Sequence, residues 1–89
     1  MPRVSAFYGI VITMYFNESQ HLGRPHFHAT YADVEASFDI ESLELIVGRL
    51  PNRANKLVLR WAKLHQDELR RNWELLRSTG RVIPIAPLS

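Results

Sequence analysis

The chain has 89 residues, 46% of them hydrophobic and 22% charged, which is the balance of one folded domain and not of a disordered segment. It has no cysteine, which excludes disulfides and thiolate metal sites, and no apolar run near the ~18 residues that span a bilayer. The net charge of +2 conceals a split: residues 1–47 carry two basic and six acidic side chains, residues 48–89 nine basic and three acidic ones.

Such an asymmetry fits a nucleic-acid face on the second half, or attraction between the halves or between copies. The opening Met1-Pro2-Arg3-Val4-Ser5 lacks the basic-then-apolar layout of a signal peptide, so the expected location is cytoplasmic, with no membrane role.

In chain order, Gly9 to Phe16 is rich in β-branched and aromatic residues and predicts a first strand. Residues 17–24 are polar, contain Gly23 and end at Pro25, so they form a loop. A second strand runs from His26 to Tyr31, a third from Val34 to Ile40 and a fourth from Leu43 to Val47. Pro51 then opens a helix, because a proline in the first turn loses no hydrogen bond. Ala54, Leu57, Val58, Trp61 and Leu64 recur at helical spacing, and Leu69, Trp73 and Leu76 continue it. The phase slips at His65-Gln66-Asp67, where the helix bends or a second one starts with Asp67 as its cap. Gly80 ends it, and Val82 to Ser89, with two prolines, lies along the body. The expected fold is α+β: an antiparallel meander of about four strands, covered on one face by a long C-terminal helix with a possible bend.

A two-residue hairpin at Ala32-Asp33 pairs Tyr31 with Val34, Ala29 with Ala36 and Phe27 with Phe38, all on one face. The other face then pairs Thr30 with Glu35, His28 with Ser37 and His26 with Asp39. A second turn at Glu41-Ser42 sets Asp39 beside Glu44, so that His26, Asp39 and Glu44 form a row on an outer face. Opposed carboxylates repel, and a cation between them is welcome. Three readings follow: a structural His26–Asp39 bond; acid–base catalysis by His26, His28 and Asp39; or a divalent metal held by His26, His28 and a carboxylate, with His21 on the loop able to join any of the three. His65, at the phase slip, reads as structural.

Arg49, Arg53, Lys56, Arg60 and Lys63 follow steps of four and three, which places them along one side of the helix. No acidic residue interrupts them, so few ion pairs at i,i+4 are available. A basic stripe of this kind is the footprint of a phosphate backbone or of an acidic protein. Trp61 and Trp73 follow the apolar stripe and belong to the core.

The chain resembles a prokaryotic family known as domain of unknown function 4160. The resemblance rests on Met1-Pro2, Phe7-Tyr8-Gly9-Ile10, Met14-Tyr15-Phe16 and Pro25-His26-Phe27-His28-Ala29. It continues through Leu50-Pro51, Leu57-Val58-Leu59, Trp61-Ala62, Leu64-His65, Glu68-Leu69 and Asn72-Trp73-Glu74-Leu75. Arg24 stands where family members usually have a second proline. The resemblance implies no defined activity; a toxin–antitoxin role is suspected for such genes. The expectation is therefore a small module that binds a cognate small protein or nucleic acid through the basic helix. The alternatives are an RNA-cleaving enzyme with Arg24 holding phosphate, a metal-binding domain, or a homo-oligomer paired through its sheet edge.

Overall fold

The structure, a computed structural model, describes residues 3–16 and 24–89. Five strands form one antiparallel meander in the order β1-β2-β3-β4-β5: β1 (Arg3–Phe7), β2 (Ile10–Thr13), β3 (His26–Tyr31), β4 (Val34–Asp39) and β5 (Leu45–Gly48). Two helices follow, α1 (Asn52–Leu64) and α2 (Gln66–Thr79). The fold is α+β, with one strand more than the expected four and two helices where one long helix was expected.

The additional strand is β1, which carries no run of strong β formers. It joins β2 through a tight turn in which Phe7 pairs with Ile10, with Tyr8 at φ 51 and Gly9 at φ 80. Positive φ at both central residues is the turn that matches strand twist. The expected first strand over 9–16 is therefore shorter at both ends: Gly9 belongs to the turn and Met14–Phe16 leave the sheet. The Ala32-Asp33 hairpin has the expected register throughout, from Tyr31 opposite Val34 to His26 opposite Asp39. The expected strand over 43–47 starts later, at Leu45. Leu43 takes φ 61 and its N–H bonds the carbonyl of Asp39 at 2.9 Å, so the 41–44 segment closes as a turn instead of extending the ladder.

One sheet face forms the main core. Ile10, Ile12, Phe27, Ala29, Ala36 and Phe38 are buried there with Ala54, Val58 and Trp61 of α1. The Trp61 ring lies 5.5 Å from Phe7 and 6.0 Å from Phe27, and its indole N–H donates to the Ala86 carbonyl at 2.8 Å. That bond satisfies the only polar atom of a fully buried indole.

The helix breaks at one residue, His65, rather than capping at Asp67. The His65 N–H still reaches Trp61 O and its carbonyl accepts from Leu69, so the path bends with its hydrogen bonds kept. His65 packs on Trp61 and pairs with Glu68, a structural use. Redirected by this bend, α2 passes the chain's turn at Ile40-Glu41, where Gln66 donates to both carbonyls. The tail returns along β1: the Ile85 N–H donates to Val4 O, and the Asn72 amide clasps the backbone of Ile83 in both directions at 2.8 Å. Among the described residues β5 is left as the open edge of the sheet.

Candidate functional site

His26 and His28 project from β3 on the face opposite Phe27, as strand alternation requires. This face was expected to lie open. It is covered at the histidines: they are 0% and 3% exposed. Trp73 of α2 sits 5.2 Å from the His26 ring, and Tyr15 stacks on His28 at 4.4 Å with the rings 9° apart. The two imidazoles meet edge to face at 5.1 Å. Tyr15 follows β2, whose Thr13 pairs with His28, which is how the segment after β2 reaches over the ring. Burial, and after it the charge of Glu35, pushes the Tyr15 phenol up, so it stays protonated.

Asp39 is opposite His26 in the register, yet its carboxylate serves other groups. It accepts from Arg24 Nε at 3.0 Å and Nη2 at 2.6 Å, and from the backbone N–H of Glu41 at 2.7 Å and Ser42 at 2.9 Å. Burial alone raises its pKa; the Ser42 N–H, the Arg24 guanidinium and the Glu41 N–H outweigh that and hold it below the usual carboxylate range. His26 Nδ1 donates to the Arg24 carbonyl at 2.6 Å. The expected His26–Asp39 bond is thus replaced by two links through Arg24, one from its backbone and one from its side chain. Arg24, which was expected to hold phosphate, holds Asp39. Glu44, expected in the same row, contributes its carbonyl to the Asp39 N–H.

His28 Nδ1 lies 2.9 Å from Ser37 Oγ. A hydroxyl and an imidazole at that distance have the geometry of a nucleophile and its base. Both are buried, and the Tyr15 ring lies over His28. Ser37 and Tyr15 were not singled out from the sequence; the hairpin register that places Ser37 opposite His28 was the available signal. His21, which was expected to be able to join the metal site, lies outside the described residues. Among the described residues, no three metal-ligating side chains converge.

The basic stripe lies on the far side of α1 from its core. Ala54, Val58, Trp61 and Ala62 are buried, while Arg53, Lys56, Arg60 and Lys63 are exposed. Arg49 is exposed too, but it lies in the connection before Pro51, so helical spacing does not place it. Arg24, Arg70 and Arg77 each meet a carboxylate; among the described residues none of the five stripe cations does. Near the start of α1 lies a groove of about 280 Å³, whose lining includes Tyr8, Tyr31, Ile10, Leu57 and Arg53. Its residues come from three segments distant in the chain, so no local pattern in the sequence marks it. No described helix is long and apolar enough to cross a membrane.

Compared with known families, residues 9–74 match the model described as Domain of unknown function (DUF4160), well over half of the chain. No curated protein and no solved structure matches it.

Proposed function

The chain belongs to the DUF4160 family, and from that premise we propose that it is a nucleic-acid-binding module whose contact surface is the outer face of α1. One observation carries the reading: four exposed cations line one side of a helix and no carboxylate among the described residues neutralises them. From Arg53 to Lys63 the stripe runs about 15 Å at ~1.5 Å per residue. Phosphate groups in a row match that array, and each contact releases condensed counterions. A toxin–antitoxin component, the role suspected from the resemblance, would hold nucleic acid on the same face.

The histidine cluster supports this fold without being its contact surface. The reading in which His26, His28 and Asp39 cleave RNA has less support than the stripe, because it needs an imidazole that a substrate can reach and both rings are buried, with Trp73 against His26 and Tyr15 against His28.

The test is fluorescence anisotropy of labelled oligonucleotides of mixed sequence. Replacing Lys56, Arg60 and Lys63 together by Gln weakens binding by about tenfold or more at low salt. Equal affinity of the parent and this variant overturns the reading.

A second reading draws on β5, where Leu45 and Val47 are exposed on a strand that has no further strand beside it among the described residues. A second copy pairing there would extend the sheet. An irregularity opposite Ser37 and Phe38 bends this edge, a feature that discourages such pairing. A strictly monomeric mass at high concentration overturns it.

A further inference from the structure

Tyr8 is in a costly place. It takes φ 51 in the β1–β2 turn, where a bulky residue is strained and Asn or Gly is preferred. Strain of this kind is usually offset by burial of the ring. Here the residue is 57% exposed, so packing does not explain the choice. Strain that persists at an exposed position points to a use.

The neighbourhood of Tyr8 supplies one. Tyr31, from the end of β3, is 36% exposed and lines the same groove. Gly9 lies against the Tyr31 ring, with room for only an ordinary contact if a Cβ were added, 3.4 Å from Cε1. Ile10 and Leu57 give the groove an apolar lining, and Arg53 lines it as well. Arg53 is also the first cation of the α1 stripe. The groove therefore joins two exposed phenol rings and an apolar lining to the end of a row of unneutralised cations. At about 280 Å³ it lies just below the range of ordinary small-ligand pockets, a size for one flat ring system.

We infer that this groove takes an unpaired base, so that the preferred ligand of the α1 stripe is single-stranded nucleic acid. The inference rests on the function proposed above and narrows it. In a duplex the bases are stacked within the helix and present no face to an aromatic side chain. A single strand can lay its phosphates along Arg53, Lys56, Arg60 and Lys63 and turn one base onto Tyr8 and Tyr31. Stacking of this type tolerates any base, because each presents a π-face.

The experiment compares a labelled single-stranded oligonucleotide with its own duplex, using the parent protein, Tyr8→Asn, Tyr8→Phe and Tyr31→Ala. The parent binds the single strand more tightly than the duplex. Tyr8→Asn relieves the backbone strain, so it unfolds at the same or a higher temperature, yet it loses about tenfold in single-strand affinity. Tyr31→Ala loses a similar factor, and Tyr8→Phe, which keeps the ring, binds as the parent does. Duplex affinity is unchanged in all three. If Tyr8→Asn binds the single strand as tightly as the parent, or the parent prefers the duplex, the base-binding groove is wrong while the phosphate-binding stripe stands. If neither nucleic acid binds, both are wrong.

Discussion

Asp39 occupies the position where an acid partner for His26 was expected, and its geometry explains why it does something else. The chain turns immediately after β4, and the N–H groups of Glu41 and Ser42 point back at the nearest oxygen. A short carboxylate at the end of a strand satisfies such groups better than a histidine ring can, and Arg24 completes the set. Asp39→Ala is expected to cost about 2–3 kcal/mol in urea unfolding, because hydrogen bonds to a charged acceptor are the strong ones. The half-exposed Arg24 contributes the smaller part, since solvent screens it. The carboxyl is held below its unfolded value of ~3.9. Its contribution is therefore complete above that value and is lost as pH falls through the lower, folded value. Below about pH 4 the parent's stability declines towards that of Asp39→Asn, which has no such acid dependence at this position. His26→Ala removes a fully buried ring and is expected to lower stability by about 2–4 kcal/mol. Nucleic-acid affinity, measured below the unfolding transition, stays at the parent level; a loss of binding without a loss of stability would return His26 to the contact surface.

At the scale of elements, β3 and β4 were legible because only one register puts every apolar pair on the same face. Tyr31 with Val34, Ala29 with Ala36 and Phe27 with Phe38 leave no alternative once the hairpin is placed. The α1 core face and its basic opposite were legible for a similar reason, since both follow one helical period. β1 was not, because Ser5 and Ala6 carry little strand preference and Tyr8 stands at the first central turn position, where Asn or Gly is usual, which leaves Gly9 as the sole turn signal. Nor was the cover over the histidines: the path of α2 depends on a bend at the single residue His65, and Trp73 reaches His26 only along that path. The start of β5 was misplaced for want of a signal at Leu43, while its end at Gly48 depends on an absent side chain. A Cβ on Gly48 would stand 2.1 Å from the Glu35 carbonyl oxygen, at φ 82. Gly48→Ala is expected to cost at least about 2 kcal/mol by combining left-handed strain with backbone overlap, read as a fall in thermal midpoint. An unchanged midpoint would mean that β5 does not pair with β4 as described.

Over the whole molecule the charge split follows the architecture. Among the described residues, the strands lie almost entirely in the acidic first half, and both helices lie in the basic second half. Part of the basic excess is neutralised across that boundary, as where Arg70 meets Glu41 at 3.0 Å. The stripe on α1 is turned away from the sheet, so its field is not spent there, and for the proposed nucleic-acid ligand electrostatic attraction would speed encounter at low ionic strength. The most direct test is the salt dependence of single-strand binding, measured as log Kobs against log salt from about 50 to 200 mM. Four phosphate contacts at ~0.7 each predict a slope close to −3, reduced in magnitude by about 2 when Lys56, Arg60 and Lys63 are replaced by Gln. A slope near zero in the parent, or the same slope in the variant, would contradict binding through this face.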